Sequence, residues 1–85
     1  MHNEKLSEEV RELMADTFGI DESDLPEAPS QATFARWTSI LHMVLVAALE
    51  EHFGLRFSMD EMIGMTSFDQ IITVLREKSA MGSPA

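Results

Sequence analysis

The sequence predicts an all-α fold: a four-helix bundle with three main helices, one short helix and a long first loop. Apolar residues recur at offsets of three and four in the early, middle and late parts of the chain, which is the period of amphipathic helices. Gly19 and Gly54 directly follow two of these segments, and glycine commonly stands just past a helix end. Residues 58–61 and 67–70 each place Glu or Gln three positions after a serine, a capping-box pattern that starts a helix.

The first helix is predicted over about residues 4–18, and its apolar residues form a single stripe: Leu6, Val10, Leu13, Met14 and Phe18. The loop that follows, 20–38, contains Pro26, Pro29 and a run of acids. A structureless loop of this length is unusual in a small domain and is often functional. We expect four apolar residues to hold it against the bundle: Ile20, Leu25, Phe34 and Trp37.

The remaining helices are predicted over about 39–53, 59–64 and 67–78, with a flexible tail at 79–85. A chain of 85 residues in this arrangement is expected to be a single domain, 1–85. Fifteen acidic residues against six basic ones give a net charge of −9, which argues against a nucleic-acid or anionic-membrane partner. The chain has no cysteine and no apolar segment long enough to cross a bilayer, and residues 1–11 do not resemble a secretory signal, so we expect a cytoplasmic protein. We also expect it to be a monomer.

The helix over 39–53 is apolar on nearly all sides for its first three turns. Its core stripe consists of Leu45, Val46, Leu49 and Phe53. A different face carries Ile40, Met43, Val44 and Ala47, with Glu50 and Glu51 one turn further along. A small bundle can hardly surround one of its own helices. The second face is therefore either covered by the loop, with Phe34 and Trp37 as a lid, or a docking surface for other proteins.

Ser39 lies where this second face meets the loop. The commonest role of a serine here is to cap the helix N-terminus. The alternative is covalent modification, since a phosphate ester would lie near free backbone N–H groups at the positive helix end. His42 is one turn away, but a Ser–His pair needs a third, orienting group and an oxyanion hole, so we expect no enzyme activity. We also expect no metal site, because His42 and His52 are about 15 Å apart along the helix, and we expect both to be solvated or partly packed.

Several segments of the chain occur in a characteristic order. Phe18-Gly19-Ile20 ends the first helix, a long acidic loop follows, and a serine opens the next helix, which ends in Ala48-Leu49-Glu50-Glu51-His52-Phe53-Gly54. Met65-Thr66-Ser67-Phe68 then leads into the last helix. From about Leu6 to Lys78 this order resembles that of the acyl carrier proteins. Thr38-Ser39-Ile40 stands where that family has Asp-Ser-Leu, and the preceding Trp37 is similar to some stand-alone carriers of specialised pathways.

The resemblance implies that Ser39, flanked by Thr38 and Ile40, receives 4′-phosphopantetheine from coenzyme A. A phosphopantetheinyl transferase would attach the group with the help of magnesium. The thiol of this arm would then carry acyl groups as thioesters between acyl-loading and acyl-processing enzymes, in fatty-acid, polyketide or related specialised biosynthesis. The chain itself would catalyse nothing. The alternatives are a small helical interaction module that is never modified, and a peptidyl carrier for an aminoacyl group.

The chain departs from the family pattern in its charges. Thr38 replaces an aspartate, and Leu41 and Val44 stand at positions that are often acidic in the family. We therefore expect partners to dock mainly through apolar contact, on a surface formed by Ile40, Met43, Val44, Ala47, Glu50 and Glu51. Arg36 either pins the loop or touches the phosphate of the arm. An acyl chain in the core would be lined by Leu49, Met62, Met65 and Ile71, although plain core packing is the preferred interpretation for these four.

Overall fold

Four α-helices and one short 3₁₀ helix form the part of the chain that the computed structural model describes, residues 2–82, with side chains described for 5–78. The helices are α1 (His2–Phe18), α2 (Ser39–Phe53), α3 (Met59–Gly64) and α4 (Phe68–Gly82), and the 3₁₀ helix covers Glu22–Asp24. The predicted all-α fold with a long first loop is confirmed. None of the described helices has the length and apolar character that a membrane span requires.

The ends of α1 and α2 are set by glycines in the left-handed conformation. Gly19 has φ of 70° and Gly54 has φ of 67°, values that other residues rarely adopt. After each glycine the backbone N–H turns back onto the helix: Ile20 N–H donates to the Ala15 carbonyl, and Leu55 N–H to the Glu50 carbonyl, both at 3.1 Å. Both predicted helix ends are therefore confirmed, because these bonds satisfy carbonyls that the helix leaves free.

The core is built from the apolar stripes of the long helices together with residues of the loops. The α1 stripe behaves as predicted, since Val10, Met14 and Phe18 are buried and its other two members pack against the core. The α2 stripe is buried at its centre, at Leu45 and Leu49. Among the residues with described side chains, the cluster consists of Val10, Met14, Phe18, Leu25, Trp37, Leu45, Val46, Leu49, Phe57, Met65, Ile71, Ile72 and Leu75. One continuous core thus contains buried residues of α1, α2 and α4. α3 has no buried residue and packs against this core through the partly buried Met62.

The first loop is held by polar contacts as well as by the expected apolar residues. Besides its 3₁₀ helix, it is held by Arg11 of α1, whose guanidinium donates to three successive carbonyls: Leu25 at 3.0 Å, Pro26 at 2.9 Å and Glu27 at 3.2 Å. Three convergent bonds from one planar group fix this part of the loop on α1. The loop was expected to be held by apolar residues, and the Arg11 clamp is an additional polar attachment that was not predicted.

A second attachment joins the loop to the start of α4. Gln31 N–H donates to the Thr66 carbonyl at 2.8 Å, and Phe68 N–H donates to the Pro29 carbonyl at 2.9 Å, on either side of an isolated β-bridge between Ser30 and Ser67. The predicted apolar pins add to this, with Leu25 and Trp37 buried and Ile20 and Phe34 packed on the core. The loop therefore reaches the start of α2 with a fixed path.

Both predicted capping boxes start a helix, but only the first is complete. Ser58 Oγ accepts from Glu61 N–H at 3.1 Å, and the Glu61 carboxylate accepts from Ser58 N–H at 2.8 Å. At α4, Ser67 Oγ accepts from Gln70 N–H at 3.2 Å, but the Gln70 side chain accepts from Thr66 N–H instead of Ser67 N–H. The reciprocal bond is shifted by one residue, next to the β-bridge that joins Ser67 to the first loop.

The last helix is longer than predicted. α4 continues through Gly82, four residues past the expected end at about Lys78. Ser79, Ala80 and Met81 contain no helix breaker, and Ala and Met have high helix propensity, so the helix has no reason to end before the glycine. The expected flexible tail therefore begins with helical residues, and the rest of it, 83–85, lies outside the described residues.

Candidate functional site

The N-terminus of α2 is capped by Thr38. This residue is extended, with φ of −85° and ψ of 171°, and its hydroxyl accepts from Leu41 N–H at 3.2 Å. Its carbonyl accepts the first helical bond, from His42 N–H at 2.8 Å. Ser39 is therefore the first residue inside the helix, and the common interpretation of Ser39 as the cap is wrong. The preceding threonine satisfies the same need one residue earlier.

Ser39 is exposed, and its hydroxyl is not committed to any contact within the described part of the chain. Within the same part, the N–H groups of Ser39 and Ile40 have no hydrogen-bond acceptor, and the first turn of α2 contains no acid. These free donors lie at the positive end of a fifteen-residue helix. The arrangement fits a phosphate group esterified to Ser39, because backbone N–H groups at a helix start are good anion ligands.

The second apolar face of α2 is exposed. Ile40 is 76% exposed, Met43 56% and Val44 47%, and Ala47 beyond them is exposed as well. The first loop does not cover this face. Trp37 is only 2% exposed and packs against Phe18 with ring centroids 5.7 Å apart, while Phe34 meets the same ring edge-on at 5.3 Å. The interpretation of these aromatic residues as a lid is wrong, because both turn into the core.

Two further apolar side chains are exposed on α3. Met59 and Ile63, one turn apart, are 68% and 66% exposed. Neither residue was predicted to be part of a functional surface. The available signal was their spacing of four residues beside Met62, whose side chain packs on the core and so sends them to the outer face.

The two acids near the end of α2 differ in their surroundings. Glu51 is exposed, whereas Glu50 is half-buried and its carboxylate accepts from Phe57 N–H at 2.9 Å. This bond directs Glu50 toward the connection between α2 and α3. The expectation that both acids belong to the docking surface stays a prediction, and the charge of Glu50 already supports the backbone of that connection.

His42 is buried, contrary to the expectation of a solvated or partly packed side chain. Trp37 Nε1–H donates to His42 Nδ1 at 3.0 Å, and His42 Nε2 lies 2.9 Å from the Met62 carbonyl. Because an indole N–H can only donate and a carbonyl can only accept, the imidazole is neutral with its proton on Nε2. His52 is different: it is exposed, with Nε2 3.3 Å from the Glu9 carboxylate of α1.

Arg36 pins the loop, the first of the two roles expected for it. Its guanidinium donates to the Phe18 carbonyl at 3.2 Å, at the end of α1. The contact with a phosphate on Ser39 stays a prediction. No group of three His, Cys, Asp or Glu side chains within the described residues is arranged to hold a metal ion.

The residues named as a possible acyl-chain lining belong to the general core. Leu49, Met65 and Ile71 are fully buried, and Met62 packs on them from α3. A cleft of about 340 Å³ lies between α3 and α4, and none of these four residues lines it. The cleft is lined by Asp60, Glu61, Gly64, Asp69, Gln70, Thr73 and Val74. The geometry agrees with the preferred interpretation as core packing, and a role in holding an acyl chain stays a prediction.

The fold and the start of α2 define a class of protein: a small helical bundle that offers a serine at an open helix tip, the arrangement expected of a carrier for a prosthetic group. The chain belongs to the phosphopantetheine attachment site family, whose model matches residues 8–75. Members of this family carry 4′-phosphopantetheine covalently on a serine. Carrier domains of this kind interact with phosphopantetheinyl transferases and acyl-processing enzymes. No curated protein and no solved structure matches the chain significantly.

Proposed function

We propose that this chain is an acyl carrier protein of the stand-alone type. It bears 4′-phosphopantetheine on Ser39 and passes acyl groups between the enzymes of a fatty-acid, polyketide or related specialised pathway. The observation that supports this most is the division of labour at the start of α2. Thr38 caps the helix, so the Ser39 hydroxyl is exposed and free to react. Family membership supplies the identity of the group that this hydroxyl receives.

The modification is a phosphoryl-group transfer from coenzyme A. The Ser39 oxygen forms a bond to the phosphorus that bears the pantetheine, the bond from that phosphorus to the rest of the pyrophosphate breaks, and adenosine 3′,5′-bisphosphate leaves. The hydroxyl proton passes to a base of the transferase. The free N–H groups of Ser39 and Ile40 would hold the resulting phosphodiester. The bound arm supplies a thiol that carries acyl groups as thioesters, a group that this cysteine-free chain does not have.

The chain is proposed to carry, not to catalyse, as carrier domains of the family typically do. The nearest candidate base for Ser39 is His42, one turn along α2. Both of its ring nitrogens are committed, one to Trp37 and one to Met62, so neither is free to accept the Ser39 proton. The contribution of the carrier is to raise the local concentration of a tethered substrate at each docked enzyme.

Partners are proposed to dock on the exposed apolar face of α2, defined by Ile40, Met43, Val44 and Ala47, with Glu51 at its far end. Three of these side chains are about half exposed or more, and no acid interrupts the face over the first three turns. Exposed apolar patches of this kind on small domains mark interaction sites. Recognition by apolar contact should depend only weakly on salt.

The attachment is tested by the intact mass of the chain after co-expression with a broad-specificity phosphopantetheinyl transferase. We expect the wild-type chain to gain the mass of one phosphopantetheinyl group and Ser39→Ala to gain none. Ser23→Ala, at an exposed serine of the 3₁₀ helix, is the matched control and should be modified like the wild type. Circular dichroism checks that each variant is folded. A wild-type chain that stays unmodified, while a known carrier domain is modified alongside, would support the unmodified interaction module.

The docking surface is tested by binding of the modified chain to an enzyme that accepts it. Affinity should fall little as ionic strength rises from about 0.01 M to 0.15 M, over which the Debye length shrinks from about 30 Å to 8 Å. Val44→Gln removes an apolar side chain from the face, whereas Glu51→Gln removes a charge from the same helix. If docking depends on apolar contact, Val44→Gln should weaken binding more than Glu51→Gln. A steep loss with salt, or the reverse order of the two variants, would show that charge governs the contact.

A further inference from the structure

The start of α2 contains a buried hydrogen-bonded link that the carrier function does not by itself require. It runs from the Trp37 indole through the His42 imidazole to the Met62 carbonyl, with distances of 3.0 Å and 2.9 Å. Trp37 is 2% exposed and His42 8% exposed, so the bond between their side chains is buried, and the bond from His42 to the Met62 carbonyl is partly buried. The rings of the first two residues are also close, with centroids 6.0 Å apart. The link therefore behaves as one rigid unit inside the protein.

The first two residues of the link flank Ser39 in the sequence. Trp37 stands two residues before the serine and His42 three residues after it, so their side-chain bond closes a small loop around the attachment point. The backbone tightens the same segment: Trp37 N–H donates to the Phe34 carbonyl at 3.0 Å, and His42 N–H to the Thr38 carbonyl at 2.8 Å. The direction in which Ser39 leaves the bundle is thus fixed on both sides.

The other end of the link holds α3. Met62 lies in the last turn of a six-residue helix, where carbonyls have no partner within the helix. Its carbonyl accepts from His42 Nε2–H and also, at 3.3 Å, from Met65 N–H. α3 buries no side chain completely, and a helix this short has little stability of its own. His42 therefore attaches the last turn of α3 to the first turn of α2.

We propose that His42 is a positioning residue for the modification of Ser39. Its imidazole joins the indole before the serine and the last turn of α3 into one preformed surface, which the transferase meets with Ser39 already in place. The inference rests on the proposed function, in which Ser39 is the attachment site. It goes further in naming a residue that never touches the arm. Loss of the link lowers the population of the chain that is ready to bind, which weakens apparent affinity by the same factor.

The test compares His42→Leu with His42→Gln. Leucine keeps much of the volume but makes neither bond, whereas the glutamine amide has both an acceptor for Trp37 and a donor for Met62. With the unmodified chain as substrate of the transferase, we expect His42→Leu to raise KM about fivefold or more and to change kcat by less than about twofold. His42→Gln should recover most of the wild-type KM. Val10→Ala, which perturbs the core on α1 at a residue that takes no part in the hydrogen bonds of the link, should leave KM unchanged.

An independent readout needs no transferase. Trp37 is the single tryptophan of the chain, so intrinsic fluorescence reports the surroundings of this indole alone. We expect a red shift of emission in His42→Leu and a return toward the wild-type spectrum in His42→Gln. If His42→Leu does not fold, Trp37→Phe removes the donor side of the link and should raise KM in the same direction.

The outcomes separate the two proposals. A wild-type chain that is modified, together with a wild-type KM in His42→Leu, would overturn the positioning role and leave the carrier function intact. A KM that stays high in His42→Gln would also overturn it, because only the packing of the ring would then matter. A wild-type chain that accepts no phosphopantetheine would overturn the carrier function and the positioning role together, while the fluorescence shift would still test the hydrogen-bonded link.

Discussion

The starts of α2 and α3 use the same kind of residue and are finished differently. At α3, Ser58 and Glu61 satisfy each other's backbone N–H groups, so the helix start is closed. At α2, the Thr38 hydroxyl accepts only from Leu41 N–H. Leu41 stands where a capping box has Glu or Gln, and its side chain cannot accept a hydrogen bond from Thr38 N–H. Ser39 is left with a free hydroxyl. The closed start serves stability, and the open start leaves room for an incoming group.

The difference reflects how each helix is stabilised elsewhere. α2 has fifteen residues and buries His42, Leu45, Val46 and Leu49 in the bundle, so it tolerates an incomplete cap. α3 has six residues and none of them is buried completely. It depends on hydrogen bonds at its two ends, from the Ser58 box at the start and from His42 at the last turn. A helix with an incompletely capped N-terminus remains stable only where its packing in the core stabilises it.

The largest effect on stability is expected when the cap at the start of α3 is removed. Ser58→Ala removes the acceptor for Glu61 N–H, and we expect it to lower the free energy of unfolding by about 1–2 kcal/mol. The measurement is urea denaturation followed by circular dichroism. Ser23→Ala, at an exposed serine outside the helix caps, should change stability by less than about 0.5 kcal/mol. Equal stability of the Ser58 and Ser23 variants would show that α3 does not rely on its cap.

A smaller effect is expected at the open start, and only at one of its two hydroxyls. Thr38→Val keeps the shape but removes the acceptor for Leu41 N–H, which should lower the free energy of unfolding by about 1 kcal/mol. Ser39→Ala removes an exposed hydroxyl with no bond to the described residues and should change stability by less than about 0.5 kcal/mol. If the two variants lose the same stability, Ser39 shares the cap and the division of labour is wrong.

Much of the fold could be predicted because it depends on local patterns. The α1 stripe, the glycines at 19 and 54, and the Ser58 capping box each need only a few neighbouring residues to define them. The three-carbonyl clamp of Arg11 could not be predicted, because its acceptors lie 14 to 16 residues away and their approach depends on the packed loop. The hydrogen bond of Glu50 could not be predicted for a similar reason, since its partner belongs to a loop whose path the helical period does not describe.

At the candidate site, the exposed face of α2 was one of two interpretations that the period of the helix left open. The structure excludes the covered face because Trp37 enters the core, where its indole N–H donates to His42. A tryptophan and a histidine five residues apart have no recognisable pairing in a regular helix. Their contact requires the turn at Thr38, so it became visible only with the loop in place.

The open start of α2 should also respond to added charge. Thr38→Asp keeps a side-chain acceptor for Leu41 N–H and adds a negative charge at the positive end of the helix, which should raise the free energy of unfolding by about 0.3–1 kcal/mol. Thr38→Asn caps equally well without the charge and separates the two contributions. The gain of the Asp variant over the Asn variant should shrink in high salt. No difference between them would indicate that the free N–H groups at this tip are already compensated.

The smallest effect concerns the charge that closes α3. The Ser58 N–H that donates to the Glu61 carboxylate lowers the pKa of Glu61 below its ordinary value of 4.5, and Lys78, with Nζ 3.2 Å from the carboxylate, lowers it further. Because this pKa is lower in the folded chain, the stabilisation is present above about pH 4.5 and is lost as the pH falls through the folded value. Glu61→Gln keeps an acceptor for Ser58 N–H and removes only the charge. We expect the variant to be less stable than the wild type by about 0.5 kcal/mol near neutral pH.

The comparison of the two chains by urea denaturation at about pH 7 and about pH 3 tests the sign of this effect. The difference between them should shrink toward zero in acid, because the wild-type carboxyl is then protonated and the glutamine resembles it. Lys78→Met in the wild-type background should reproduce part of the loss near neutral pH, since it removes the second cause of the lowered pKa. If the stability difference persists unchanged in acid, the shape of the Glu61 side chain and not its charge stabilises the start of α3. The charge would then not distinguish this start from the first turn of α2, which contains no acid.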